Sequence, residues 1–134
     1  MGSTDDTFWD LVDALRERDG RYRREAYGFV VGALGVAVRG LPAERRADPV
    51  RRHLAGQELL AAIVLLARRE FGALAPAVFC EWGVVAGEDV GNIVFQLVEA
   101  RQLSARPEDS LADFTGGPDL MKALRASDPA SARR

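Results

Sequence analysis

The sequence predicts a mainly α-helical protein, in which an N-terminal helical pair precedes a winged-helix-like three-helix unit and a short C-terminal β-hairpin. Apolar residues recur at intervals of three and four over most of the chain, which is the spacing of one helix face. After residue 55, the pattern predicts a long helix, a short helix and a third helix, followed by a turn cluster between apolar residues. This order is typical of the winged-helix relatives of the helix-turn-helix. A plain helical bundle with a C-terminal loop is the alternative.

The N-terminal helical pair is predicted over residues 1–41. Its first helix is amphipathic and ends at Gly20, and its second helix covers residues 24–39. The predicted core faces consist of Phe8, Leu11, Val12 and Leu15 in the first helix and of Ala26, Phe29, Val30, Ala33, Leu34 and Ala37 in the second.

Residues 42–55 are predicted to form a basic linker between the pair and the winged-helix-like unit. Pro42 and Pro49 disfavour helix in this segment. Arginines are concentrated there, and four of them are candidate phosphate ligands. These four are Arg45, Arg46, Arg51 and Arg52.

The winged-helix-like unit is predicted over residues 56–120. Its first helix is apolar on nearly all sides at residues 59–67 and ends at Gly72, which is typical of a helix in the middle of a domain. A short helix over residues 74–82 and a third helix that begins near residues 88–89 complete the helical part.

The predicted hairpin follows the third helix. Leu103 and Ala105 are assigned to its first strand, and Leu111 and Phe114 to its second. The turn cluster at residues 107–110 contains proline, two acidic residues and serine, which favour a reversal of the chain.

Length and composition indicate one domain. The chain has 134 residues, of which 48% are hydrophobic, and this suffices for a packed core without a disulfide or a metal. We expect this domain to cover residues 1–129 and to be followed by a disordered tail at residues 130–134. The single cysteine, Cys80, cannot form an internal disulfide, and its apolar surroundings predict a buried thiol.

The sequence predicts a cytoplasmic protein with no membrane partner. The first 20 residues are acidic and amphipathic, unlike a secretory signal peptide. The longest apolar run, at residues 26–38, has about 13 residues, whereas roughly 20 are needed to cross a bilayer.

The residue types predict binding rather than catalysis. The sequence contains neither a Walker loop nor a dinucleotide-binding glycine motif. One histidine, His53, is too few for the usual zinc sites or for a two-histidine iron site. We therefore predict no enzymatic activity, no catalytic residue, no metal and no cofactor.

Our first functional hypothesis is a protein–protein interaction module that binds another protein or associates with itself. Residues 1–55 contain ten arginines and nine acidic residues, whereas residues 56–129 contain six basic and eleven acidic residues. The part that resembles a DNA-binding unit is therefore acidic, and its carboxylates would oppose binding to phosphates. Trp82 and Phe95 are the candidate contact residues.

Two other hypotheses stay open. A nucleic-acid-binding transcriptional regulator would use the four linker arginines, and its binding to a duplex would weaken with salt. Alternatively, His53 and Gln57 at the start of the central helix would bind a small anionic ligand. That reading requires Glu58 and Glu81 to converge with them in one cleft.

A series of ordered motifs extends over most of the chain. The motifs are His53-x-x-Gly56-Gln57-Glu58-Leu59-Leu60, Phe71-Gly72, Glu81-Trp82-Gly83-Val84, Glu88-Asp89-Val90-Gly91 and Asp109-Ser110-x-x-Asp113-Phe114. Over roughly residues 8–120, they resemble an uncharacterised bacterial family, sometimes called the Minf family and known from planctomycetes, verrucomicrobia and other bacteria. The resemblance implies a bacterial protein but no biochemical activity, so it assigns no site residue.

Overall fold

The computed structural model describes residues 4–103 and 109–126, and these residues are mainly helical, as predicted. Buried hydrophobic side chains from Val12 in the first helix to Leu124 in the last form one core. None of the described helices is both long and apolar enough to cross a membrane. The helices are α1 (Thr4–Arg18), α2 (Arg24–Arg39), α3 (Ala43–Ala47), α4 (Gly56–Phe71), α5 (Ala75–Trp82), α6 (Gly87–Glu99) and α7 (Leu120–Arg125), with 3₁₀ turns at Gly72–Leu74 and Leu111–Phe114.

Helix α4 lies at the centre of the fold and packs against α2, α5, α6 and α7. It buries Leu59, Ile63 and Ala67, whose spacing places them on one face of the helix. The helix ends at Gly72, as predicted, and the φ of +54° at this residue is one that favours glycine.

Helices α1 and α2 form the predicted N-terminal pair. The guanidinium of Arg24 lies over the indole ring of Trp9, 4.5 Å from its centroid, and its Nε donates to Asp13 at 3.0 Å. Val12 and Ala26 are buried between this pair and the rest of the core. The two helices therefore hold together through apolar contacts and a polar contact at their surface.

Helix α5 ends at Gly83, whose φ of +83° lies in the left-handed region. The chain then passes against the loop between α1 and α2, where the N–H of Arg23 donates to the carbonyl of Trp82 at 3.1 Å. The prediction of a buried thiol on this helix is wrong, because Cys80 is exposed. The inward face of α5 is instead the one that buries Ala75 and Phe79.

The predicted β-hairpin is wrong, because residues 4–103 and 109–126 contain no strand. Its second strand is a 3₁₀ turn, in which the N–H of Ser110 donates to the carboxylate of Asp113 at 2.9 Å. A serine with an acidic residue three positions later is a capping box, which favours a helical turn over a strand.

The first predicted strand is not formed at Leu103 either. The backbone N–H of Leu103 donates to the carbonyl of Leu97 at 3.3 Å. This bond forms at the end of α6, which is closed by Arg101, whose φ of 64° lies in the left-handed region. Ala105 and residues 107–108 of the predicted hairpin lie outside the described residues, as does the predicted tail at residues 130–134.

The predicted basic linker at residues 42–55 contains a short helix, α3, which begins directly after Pro42. Proline is compatible with a helix start, since the first turn needs no intrahelical N–H bond. The remainder of the segment, up to Ala55, is turns and irregular backbone that leads into α4.

Candidate functional site

Residues 109–118, here called the strap, cross the N-termini of α4 and α6. The strap passes so close to the first residue of each helix that a side chain would not fit there. A Cβ on Gly56 would lie 2.7 Å from the carbonyl oxygen of Asp113, and a Cβ on Gly87 would collide with the carbonyl oxygen of Phe114. Phe114 is also buried, so the strap is anchored to the core through this side chain.

Gln57, a predicted ligand of a small anion, binds the strap. Its Nε2 donates to the carbonyl oxygens of Asp113 and Thr115, both at 3.1 Å. An amide nitrogen has only two hydrogens to donate, and both carbonyls belong to the protein itself. The side chain therefore holds the strap across the start of α4.

His53, the other predicted anion ligand, pairs with a carboxylate of the strap. Its Nε2 lies 2.8 Å from Oδ2 of Asp109, and the two side chains are only 21% and 15% exposed. An ionised carboxylate only accepts hydrogen bonds, so Nε2 of His53 is the donor. The pair closes one end of the strap onto the segment that precedes α4.

A cavity of about 360 Å³, here called the His53 cavity, lies between α2, α4, α6 and the strap. Its walls include apolar side chains of all three helices, such as Leu34, Leu59 and Val94. Its polar lining consists of Arg52, His53, Gln102, Asp109 and Asp113.

Two of the four candidate phosphate ligands are used inside the protein. Arg45 forms two hydrogen bonds with the carboxylate of Glu58, at 2.7 and 2.8 Å, and these bonds raise the pKa of the guanidinium above its usual value. Arg46 donates to the carbonyl of Arg39 at 2.9 Å. Arg51 and Arg52 are exposed and form no ion pair with any described residue.

The two candidate contact residues pack against other aromatic rings. Trp82 and Phe95 are both half-buried. Phe95 makes an edge-to-face contact with Phe114 of the strap, with ring centroids 6.3 Å apart. The rings that surround Trp82, with centroids 5.3–5.7 Å from it, are those of Phe29, Phe71 and Phe79.

Glu81 lies apart from the other groups proposed to share a cleft with it. It is on α5, where its carboxylate accepts from Arg23 at 3.1 Å and its side chain is 73% exposed. It does not line the His53 cavity. The structure brings His53 and Gln57 to the strap but does not bring Glu81 to them.

A buried polar network at the start of α6 was not predicted. The hydroxyl of Tyr22 donates to Oδ1 of Asp89 at 2.7 Å and accepts from Nδ2 of Asn92 at 2.9 Å. The other oxygen of Asp89 accepts from the N–H groups of Val85 and Ala86, each at 3.0 Å. Burial, together with the hydrogen bond to Asp89, raises the pKa of Tyr22 to about 12, although the bond from Asn92 acts in the opposite direction. The network anchors α6 to the loop between α1 and α2.

An apolar groove of about 450 Å³, here called the α4–α7 groove, lies on the outer side of α4. Leu65 lines it and is 68% exposed, although its neighbours in the sequence are mostly apolar. Leu120 and Ala123 of α7 form the opposite wall, and Gln57 and Arg68 lie towards the two ends of α4.

The chain matches no protein-family model, no curated protein and no solved structure. Across the described ranges, no group of three or more His, Cys, Asp or Glu side chains is arranged to hold a metal ion.

Proposed function

We propose that this protein is a non-enzymatic interaction module that binds an amphipathic helix of a partner protein in the α4–α7 groove. The supporting observation is Leu65, which is 68% exposed in the middle of an apolar groove. Covering such a side chain with a partner's apolar side chains is favourable, because it removes apolar surface from water.

The dimensions of the α4–α7 groove suit a helix. Its residues on α4 run from Gln57 to Arg68 at intervals of three and four, and a stretch of that length spans about 17 Å, or three helical turns. Amphipathic helices bind such grooves through apolar side chains at the same spacing. Pro118 and Leu120 provide the facing apolar wall.

The charges around the groove favour an acidic partner. Arg68 lines it and has no ion pair with any residue in the described part of the chain. Helix α7, which forms the opposite wall, carries Lys122 and Arg125 outside the lining, against one acidic residue at its N-cap, Asp119. A partner helix with Asp or Glu beside its apolar face would therefore be attracted electrostatically, which mainly accelerates binding.

Other hypotheses have less support. Nucleic-acid binding would lose two of its four arginines, because Arg45 and Arg46 already bind protein groups. An anion site at His53 and Gln57 would compete with Asp109 and with the strap carbonyls. The winged-helix-like arrangement of residues 56–120 stays a hypothesis, and the proposed groove does not depend on it.

The test uses two synthetic helical peptides with the same apolar face, one flanked by glutamates and one by lysines. Binding is followed by fluorescence anisotropy for the wild-type chain and for Leu65→Glu. The matched control is Leu74→Glu, because Leu74 is 67% exposed but lies outside the groove.

We expect the acidic peptide to bind the wild-type chain and Leu74→Glu alike, and to bind Leu65→Glu at least roughly tenfold more weakly. The lysine peptide should bind the wild-type chain more weakly than the acidic one. Equal effects of the two substitutions, or no binding of either peptide, would contradict the proposal. So would a dimer that forms in light scattering and is lost in Leu65→Glu, since the groove would then bind a second copy.

A further inference from the structure

We propose that the partner helix lies antiparallel to α4 in the α4–α7 groove, with an acidic residue of its first turn at Arg68 and a large apolar residue, seven positions later, at Ala61. The proposal rests on the function proposed above and adds the direction and the sequence pattern of the bound helix.

The two ends of the α4–α7 groove differ in charge. One end is formed by Gln57, in the first turn of α4, and the other by Arg68, in its last turn. The side chain of Arg68 is half-buried and forms no ion pair with any described residue. Arg69 and Glu70, the other charged residues of that turn, are exposed and lie outside the lining. An occupant therefore meets a positive charge at the Arg68 end.

The Gln57 end has acidic neighbours. The strap meets α4 there, because a side chain on Gly117 would collide with that of Gln57. Asp119 follows two positions later at the start of α7, and Glu88 is next to Gly87 of the lining. Both acids are exposed. The basic residues of α7 come three and six positions after Asp119, beyond the start of that helix.

This polarity matches a helix that runs antiparallel to α4. Acidic side chains are favourable in the first turn of a helix and basic ones in the last turn, because they complement the partial charges of its two ends. In the antiparallel direction, the first turn of the partner lies at Arg68 and its last turn lies beside Glu88 and Asp119. In the parallel direction, the acids of the first turn would face acids instead.

The row of α4 residues in the groove has its smallest side chain in the middle. Ala61 lies one turn from Gln57 on one side and one turn from Leu65 on the other, and all three are exposed. Another alanine, Ala123, is part of the opposite wall. A side chain from a facing helix packs into a hole between such neighbours. A partner residue of the size of leucine or phenylalanine therefore fits at Ala61.

The spacing of α4 determines the spacing of the partner. Ala61 and Arg68 are seven residues apart, which corresponds to two turns of one helix face, or about 10 Å. Two helices that pack over so short a distance keep the same spacing, so the acid and the large apolar residue of the partner are also seven positions apart. A second apolar residue, three or four positions after the acid, lies opposite Leu65.

The direction is tested with a synthetic helical peptide that has glutamate in its first turn, leucine four positions later and phenylalanine seven positions later. It carries a nitroxide spin label at its first or at its last residue, and the broadening of amide resonances is measured in the ¹⁵N-labelled full chain. We expect the first label to broaden amides near Arg68 most and the last label those near Gln57.

The reverse broadening pattern would overturn the antiparallel direction and leave the α4–α7 groove as the binding site. Absence of binding, or broadening away from the groove, would overturn both this proposal and the proposed function. The two failures are therefore distinguishable.

The contact at Arg68 is tested by reversing its charge. Arg68→Glu should weaken binding of the glutamate peptide by about fivefold, because attraction becomes repulsion. A peptide with lysine in place of the glutamate should bind Arg68→Glu more tightly than the wild-type chain. Arg69→Glu is the matched control, since Arg69 is exposed outside the lining, and it should change neither affinity. Equal effects of the two substitutions would contradict an acid at Arg68.

The contact at Ala61 is tested from both sides. Replacement of the peptide phenylalanine by alanine should weaken binding to the wild-type chain at least roughly tenfold. In Ala61→Leu, which fills the hole, the same replacement should matter little. Ala77→Leu, on an exposed site of α5 outside the groove, should keep the tenfold loss. Equal binding of the two peptides to the wild-type chain would refute this spacing, even where Ala61→Leu does not fold.

Discussion

Helices α4 and α6 begin with the same local pattern. Residues 55–58 and residues 86–89 both read alanine, glycine, a polar residue and an acid. In each helix the acid accepts a hydrogen bond from the N–H of the alanine, at 2.8 Å for Glu58 and at 3.0 Å for Asp89. In each helix the glycine lies under the backbone of the strap.

The surroundings of the two acids differ. The side chain of Asp89 is only 6% exposed and binds the hydroxyl of Tyr22, with Arg21 at 3.4 Å, whereas the side chain of Glu58 is 41% exposed and binds Arg45. A hydrogen bond to a charge is worth more when water cannot replace it. The same motif is therefore a surface cap on α4 and an anchor between distant segments on α6.

The largest loss of stability is expected from removing the buried acid, Asp89. Asp89→Ala leaves the Tyr22 hydroxyl and the N–H groups of Val85 and Ala86 without their acceptor, and we expect a loss of about 3–4 kcal/mol in the free energy of unfolding. Urea denaturation measures it. Glu88→Ala, an exposed neighbour in the same turn, is the control and should change the stability little. Equal losses of stability in Asp89→Ala and Glu88→Ala would show that the burial of Asp89 does not matter.

The pKa of Tyr22, the hydrogen-bond partner of Asp89, tests the burial of this network independently. Its pKa is about 12 in the folded protein, against 10.0 for an ordinary tyrosine, chiefly because burial disfavours the phenolate. Above pH 10 the unfolded chain loses this proton while the folded chain keeps it. Tyr22 therefore contributes stability that is complete below pH 10 and that falls by about 2–3 kcal/mol as the pH rises to 12.

Tyrosine ionisation is readable in this chain because there are only two tyrosines. Since burial also raises the pKa of Tyr27, the titration is made in Tyr27→Phe, where the phenolate absorbance comes from Tyr22 alone. A midpoint near 10 in the folded protein would mean that Tyr22 is hydrated, and the contrast between α4 and α6 would then lose its basis.

The third prediction concerns the two helix-start glycines. Gly87→Ala and Gly56→Ala should each destabilise the protein by about 2 kcal/mol, because the new Cβ would displace the strap backbone. Gly32→Ala on α2 is the control. Apart from the adjacent backbone of its own helix, no described atom lies within 4 Å of its added Cβ, so alanine there should stabilise the helix by up to about 1 kcal/mol. Thermal unfolding followed by circular dichroism distinguishes destabilised from stabilised variants. Stabilisation by all three substitutions would show that the strap is not tightly packed against the helix starts.

The helices were predictable because their signals are local. Residues 24–39 were predicted as a helix and form α2 with the same bounds, and Gly72 and Gly83 end helices where the apolar period stops. The hairpin error was also local. Apolar residues on both sides of the turn cluster at 107–110 predict a strand at Leu111 and Phe114, although the capping box of the same segment favours a helical turn.

The contacts of the strap and the Tyr22 network could not be predicted in this way. Tyr22 and Asp89 are 67 positions apart, and His53 and Asp109 are 56 apart. No period or end signal relates residues at such separations. Leu65 shows the same limit, because an apolar residue in an apolar stretch is expected inside the core, whereas it lies exposed beside the groove between α4 and α7.

The smallest loss of stability is expected from removing the surface acid, Glu58. Glu58→Ala should lower the free energy of unfolding by less than about a third of the loss in Asp89→Ala, because an exposed ion pair gains little over hydration. Together with Arg45→Ala and the double variant, it forms a double-mutant cycle that gives the coupling energy between Glu58 and Arg45. High salt should reduce this coupling energy, since exposed charges are screened. A coupling that persists in high salt and matches the loss in Asp89→Ala would mean that Glu58 also anchors distant segments. The shared alanine–glycine–acid pattern would then determine the role of the acid regardless of its burial.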